Sequence, residues 1–399
     1  MKKISFALMV LFLLLSAIDT EAAGRPYGTS ALMVVVERES GSVVVIDSVE
    51  HEFLGRVEGL GDLRHATIVF SRDARFAFVI ARDGTLSKID LLTLSLERQA
   101  KAGETSIGIA ISRDNRYVMV CNYSPGGAVV FDSRDLKKVK EIPAIYKEGA
   151  PPSRTVGPLD TPDNLMIFAL MEGNSVWVVD MKAEGFPVIK KFDGAGETPY
   201  DQLITPDGRY YVVGFEKSDW MGLVDTWRLD TIRKIDVSER RATGDKAAPV
   251  HHIPHFESWA ISGRYAFVPA FGKKRVLVYD TENWSLKKSI PISGTGLFVV
   301  ARPGGREVWV DNTGAPGGPE ERLIEIIDTE TLEVKDRIDA GKGAIDPQFT
   351  AKGEAAYVSI REEDRVAVYD TDTKKVIRDF KVRRPSGIFS SYRAGQFGL

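Results

Sequence analysis

The sequence predicts an all-β fold: an eight-bladed β-propeller whose first blade is completed by a C-terminal inner strand. Three observations predict it. One unit recurs along the chain: an apolar strand, a turn of the type S-x-D-G-R, a second strand, a short polar turn, and a third strand ending in Asp. Its clearest copies are ISRDNRYVMVCNYSPGGAVVFD, LITPDGRYYVVGFEKSDWMGLVD, AISGRYAFVPAFGKKRVLVYD and FTAKGEAAYVSIREEDRVAVYD. The strand-ending aspartates are Asp47, Asp90, Asp132, Asp180, Asp225, Asp280, Asp328 and Asp370, with successive gaps of 43, 42, 48, 45, 55, 48 and 42 residues. That spacing suits four-stranded propeller blades. The two ends are also complementary. ALMVVVERESGSVVVID supplies only second and third strands, while RRPSGIFSSYRAG reads like a first strand and then stops. Pro385 to Tyr392 is therefore expected beside Ala31 to Glu37, which closes the ring and leaves no open sheet edge. A β-solenoid, the rival architecture, needs no such split unit.

Length and composition bound the rest. A chain of 399 residues suggests two or three domains by length alone, but a repeat fold makes one domain of residues 24–399. The net charge is −3 and the basic residues are scattered, so no footprint for nucleic acid is present. Residues 1–23 read as a signal peptide. Lys2 and Lys3 form the charged region, Phe6 to Leu15 the apolar run, and Ala22 and Ala23 the cleavage site. An uncleaved anchor is the alternative, but the run falls short of the ~20 apolar residues a span needs. The expectation is an exported, periplasmic protein with no membrane span in its mature form. Cys121 is the single cysteine, which excludes an intrachain disulfide, a CxxCH haem attachment and a Cys-rich metal site. In the strand RYVMVCNY it reads as a small buried hydrophobe.

In a propeller the first strand of each blade lines the central channel, and ligand sites gather at one mouth. The search for chemistry therefore narrows to the inner-strand segments. His65 opens the inner strand of the second blade, after GLGDLR. A neutral imidazole there is able to ligate a haem iron. A turn histidine bonded to backbone is the equally simple reading, and both stay open. His251, His252 and His255 form the densest cluster, in HHIPHF. Pro254 favours an extended backbone there. A zinc site would need further ligands that no spacing supplies, so the lining of a pocket is the better reading. Arg64, Arg72, Arg113, Arg154, Arg302 and Arg393 lie near inner strands, and arginine suits bidentate binding of carboxylates. Arg72 and Arg113 sit in S-R-D turns, where they also serve to solvate a blade edge. Asp160 and Asp346 fall within inner strands where apolar residues are expected; structure is favoured for Asp346 and function for Asp160. No GxSxG, P-loop or strand-to-helix GxGxxG occurs. From the residues alone the reading ends at an exported propeller with a channel mouth bearing His and Arg.

The segments VVVERESGSVVVIDS and RVEGLGDLRHATIVFSRDARFAFVIARDGTLSKIDLLT resemble those of the NirF family. So do SRDNRYVMVCNY, GAGETPYDQLITPDGRYYVVGF, APVHHIPHFESW and GTGLFVVARPGGREVWVDNT. The resemblance covers essentially the whole mature chain. It implies an eight-bladed propeller similar to the haem d1 domain of the two-haem nitrite reductase. It also implies binding of haem d1 or its late precursor, and a part in haem d1 maturation. RHATIVFSRD is similar to the reductase's proximal segment, which makes His65 the implied axial ligand, and Arg72 the arginine that follows it. Arg72, Arg154 and Arg393 are then candidates for gripping the carboxylates of the tetrapyrrole. Asp160, His251, His252 and His255 are candidates for acid–base work. The reductase's two distal histidines align with Phe271 and Arg302, so nitrite reduction is not expected. The alternatives are a late side-chain modification of the macrocycle, a carrier delivering cofactor to nitrite reductase or other biogenesis proteins, and a cofactor-free interaction propeller.

Overall fold

The structure is a computed structural model that describes residues 26, 28–237, 260–270, 273–312 and 318–397. His251, His252, His255 and Phe271, like the expected signal peptide, lie outside the described residues. The strands form eight antiparallel sheets of four, each running from an inner strand at the channel to an outer strand at the rim. In the second blade these are Thr67–Phe70, Phe76–Ile80, Thr85–Asp90 and Ser95–Lys101. The inner strand of the first blade is Pro385–Ser390, which pairs antiparallel with Leu32–Glu37 in the register Val34↔Phe389 and Val35↔Ile388. The split blade expected from the two ends is thus formed.

Second and third strands are apolar along most of their length, without alternation, because both faces of each blade meet a neighbouring blade. Met33, Val35, Val44 and Ile46 of the first blade pack with Ala355, Tyr357, Val366 and Val368 of the eighth. The same kind of layer recurs around the ring and constitutes the core.

The aspartate repeat has a local cause. Asp47 accepts from the backbone N–H groups of Val49 and Glu50, Asp90 from Leu92 and Thr93, and Asp328 from Glu330 and Thr331. Each carboxylate caps the turn between third and outer strands. Those turns then place a non-glycine residue at positive φ: His51, Leu94, Leu136, Phe186, Leu229, Trp284, Leu332 and Lys374. Such backbone costs about 1–3 kcal/mol per residue and persists only where packing holds it. Here the side chain wedges against the preceding blade. Phe186 meets Tyr117 edge-on at 4.8 Å, Trp284 meets Tyr210 at 6.3 Å, and His51 Nδ1 lies 2.7 Å from the Tyr357 hydroxyl.

Inner strands start at one mouth of the channel, the upper, where outer-to-inner connections and second-to-third loops converge. They end at the lower mouth, in the S-R-D turns. This polarity decides which candidate residues can meet.

Candidate functional site

His65 ends a single 3-10 turn, Leu63–His65, at the upper mouth. Three contacts fix that turn. Asp62 caps it, accepting from the Arg64 backbone N–H at 3.0 Å. Arg82 donates its backbone N–H to the Asp62 carbonyl at 2.8 Å. Arg38, from the first blade, donates to the Arg64 carbonyl at 3.1 Å. The preceding Gly61 has φ +86, and a Cβ there would stand 3.0 Å from the Asp83 carboxylate, so the approach to the turn requires glycine. Burial, with the charges of Arg82 and Arg38, pulls the His65 pKa down to about 4. The imidazole is therefore neutral at physiological pH and keeps a nitrogen lone pair for a metal.

A cavity of about 260 Å³ lies against His65. Its walls are of two kinds. Leu297, Phe298, Ile345 and Phe389 supply apolar surface, and Arg38, Arg64 and Arg361 are the basic residues that border it, the Arg64 guanidinium pairing with Asp62 at 2.7 Å. Asp346 also borders it, but its carboxylate accepts from the Ile388 backbone at 2.6 Å and from the Gln348 amide at 2.8 Å. That is the structural role expected for it. An apolar slot with a neutral histidine and a cationic rim suits a flat, carboxylate-bearing macrocycle with a central metal.

Of the other described candidates, Arg64 borders this cavity, whereas Arg72, Asp160, Arg154 and Arg393 do not. Arg72, Asp160 and Arg393 stand at the opposite, lower mouth, since each follows or ends an inner strand that His65 or its equivalents begin. The four residues of Thr67–Phe70 alone span about 13 Å. Arg72 donates to Asp160 at 2.7 Å and to the carbonyls of Ala394, Gln396 and Ile111. Arg113 donates to the Gly395 carbonyl at 2.8 Å and covers the Phe397 ring at 4.3 Å. Together they bind the C-terminal tail across the lower mouth. Arg72 is therefore engaged in holding the tail rather than in gripping a ligand at His65, and Asp160, fully buried, is its counterion. Arg393 borders a separate lower cavity of about 650 Å³, beside Gln202, Arg302 and Tyr392. Arg154 is on the upper face but two blades from His65, where it pairs with Glu172 at 2.6 Å and covers Tyr123 at 5.3 Å.

Sequence reasoning passed over Arg38 and Arg361, and the signal was in the repeat register. Leu32–Glu37, Phe76–Ile80 and Ala355–Ile360 are equivalent second strands, and an arginine follows each within two residues: Arg38, Arg82 and Arg361. The fourth, fifth and seventh blades carry Glu172, Glu216 and Asp311 there instead. Arg361 of blade eight and Arg38 of blade one thus border the cavity together with Arg64 of blade two.

The Cytochrome D1 heme domain family matches residues 27–394. Protein NirF of Stutzerimonas stutzeri is 40% identical over 97% of this chain and 99% of its own length. Protein NirF of Pseudomonas aeruginosa is 41% identical over 93% of this chain and 94% of its own. The dihydro-heme d1 dehydrogenase of Pseudomonas aeruginosa is 28% identical over 90% of this chain and 71% of its own. Among solved structures, the dihydro-heme d1 dehydrogenase NirN in complex with DHE superposes with a TM-score of 0.79 at 26% identity, over 93% of this chain and 78% of that one. With a match along nearly its whole described length and two-fifths identity to both NirF proteins, the chain belongs to the cytochrome D1 haem-domain family and, within it, to NirF.

Proposed function

We propose that this protein binds haem d1, or a late precursor of it, in the upper cavity and acts in the maturation of that cofactor. A role in haem d1 biogenesis or binding comes with the family; the site and the manner of binding are our reading. The single observation that carries it is the neutral His65 at the foot of an apolar cavity rimmed by Arg38, Arg64 and Arg361. When bound, the macrocycle would supply an iron for axial ligation and a conjugated ring. The chain's residues would do the rest. His65 would hold the iron through its imidazole, in an orientation set by the Asp62 cap and the Arg38 strap. The arginines would bind the ring's carboxylates, and Phe298 and Phe389 would exclude water from its faces.

A dehydrogenase-like activity is the second reading, favoured by the likeness to the dihydro-heme d1 dehydrogenases. Spectral titration with haem d1, compared against haem b, tests binding: a shifted Soret band at one equivalent is expected for haem d1. Purified protein offered the dihydro form then separates the roles. Multiple turnovers make it an enzyme, and stoichiometric binding without product makes it a carrier. We further infer export to the periplasm, with a mature chain starting near Gly24. N-terminal sequencing of protein recovered from that compartment checks this, and retention of residues 1–20 would refute it.

A further inference from the structure

We propose that the lower cavity is a second binding site, which takes a small organic acid with an apolar body, a carboxylate and an N–H donor: an acylamino carboxylate. It is separate from His65 and owes nothing to a tetrapyrrole. The cavity has a volume of about 650 Å³, a size usual for small-molecule sites. The ends of three inner strands enclose it: Pro199–Ile204 of blade five, Ala260–Ser262 of blade six and Val299–Ala301 of blade seven. The C-terminal tail closes one side with Tyr392, Arg393 and Phe397. Leu159, Ile204, Ile261, Val300 and Phe397 give the hollow its apolar wall.

Gln202 supplies the observation that asks for a donor. It borders the cavity and is only 2% exposed. Its Nε2 donates to the Tyr200 carbonyl at 2.7 Å. A carbonyl only accepts, so this bond fixes which end of the amide is the oxygen. Oε1 then has no hydrogen-bond partner among the described residues. A buried acceptor left unpaired is costly. The fold nevertheless makes room for it: Gly157, at φ +58, faces the amide, and a Cβ there would stand 1.2 Å from Oε1.

The charge around the cavity asks for an anion. In blades two, three and five the turn after the inner strand carries an aspartate: Asp73, Asp114 and Asp207. Each accepts from the hydroxyl two residues before it and from a backbone N–H two residues after it. Blades six, seven and eight have Ser262-Gly263, Arg302-Pro303-Gly304 and Thr350-Ala351-Lys352 at that place, and all three turns border the cavity. No Asp or Glu lies among the described residues that line it, whereas Arg302 and Arg393 do. Arg302 is anchored, donating to the Gly353 carbonyl and to Asp372 at 2.8 Å each. Arg393, in the tail turn Ser391–Gly395, is the cation assigned to the carboxylate. An apolar hollow with a guanidinium on one wall and a buried acceptor on another matches an acylamino carboxylate, whose acid and N–H flank an apolar side chain.

Calorimetric titration of the whole protein with N-acetylleucine tests this without any tetrapyrrole, so its failure is distinct from failure of the haem d1 reading. N-acetylleucine should bind saturably. N-acetylleucinamide, which lacks the carboxylate, and N-acetyl-N-methylleucine, which lacks the N–H, should each bind about tenfold more weakly, the worth of one hydrogen bond. Gln202→Met should bind N-acetylleucine and its N-methyl form alike, and Arg393→Gln should bind the acid and its amide alike. Melting of each unliganded variant shows that it is folded, and either one alone suffices for the test. Arg306→Gln is the charge control, an exposed arginine of the same turn that pairs with Glu330 at 2.7 Å; it should bind as the wild type does. Glycylglycylleucine binding more tightly than N-acetylleucine assigns the site to peptide chain ends, and binding more weakly assigns it to a free acylamino acid. Three results overturn the site: no saturable heat with N-acetylleucine, equal wild-type affinity for the N-methyl form (as a water held on Oε1 would give), or the same loss in Arg306→Gln as in Arg393→Gln.

Discussion

His65 holds its place through neighbours rather than through its own strand. Its pKa of about 4 follows from burial and from two arginines brought in from adjacent loops. If it is the axial ligand, His65→Ala should abolish or strongly alter the Soret band of bound haem d1 while leaving the fold intact. Absorption titration decides this; a wild-type spectrum in the variant would move the ligand elsewhere. The arginines divide by the mouth they occupy. Arg38→Gln and Arg361→Gln should each weaken haem d1 binding about tenfold, the worth of one charge-assisted hydrogen bond. Arg72→Gln should leave affinity near wild type but destabilise the fold by about 3–5 kcal/mol, because it breaks the buried pair with Asp160. Fluorescence titration paired with chemical denaturation separates the two classes. Among these residues, only His65 was legible as a site residue from its own segment. Arg38 and Arg361 look like surface charge in sequence, because only the ring brings loops from blades eight, one and two to one rim.

At the scale of the element, the closing strand is the informative piece. Glu37 ends its partner strand, Leu32–Glu37, with a fully buried side chain. It accepts from Arg56 at 2.7 Å, from Ser42 at 2.6 Å, and from the backbone and guanidinium of Arg383, which leads into Pro385–Ser390. Burial alone would raise its pKa, but the bonds from Arg56, Arg383 and Ser42 outweigh burial and hold it at about 2. A carboxyl whose folded pKa is depressed contributes stability above its unfolded pKa and loses it as pH falls toward the folded value. Acidification from about pH 4.5 to 2 should therefore remove a few kcal/mol through this group. Glu37→Gln should lose that part of the acid dependence and be less stable than the wild type at neutral pH. Urea unfolding across that range checks the sign.

The whole molecule stands or falls with the ring. The Pro385–Ser390 strand completes the first blade, and the residues after it carry the carbonyls that Arg72 and Arg113 bind at the lower mouth. Deletion of residues 385–399 should therefore lower the melting temperature of the entire fold, by opening two sheet edges and leaving Asp160 and Arg72 without the tail. An unchanged thermal transition would mean that the ring does not depend on its closing strand.

The sequence by itself determined the strands, their grouping and the closure. All three are written in local chemistry: runs of apolar β-formers, aspartates that cap the turn following them, and a split unit whose halves must pair. It also drew attention to His65 as the opening of an inner strand, which the structure corrects to the end of a 3-10 turn two residues ahead of Thr67–Phe70, and the NirF resemblance rests on the same local segments. Only the tertiary structure decided which candidates share a site. Arg72 lies seven residues from His65 and looked like its companion, but one inner strand carries the chain through the channel between them, so they belong to opposite mouths. Asp160 and Arg72 are far apart in sequence and meet because two blades end at the same level. Contacts across blades depend on the angle at which repeats pack, and no local pattern encodes that angle.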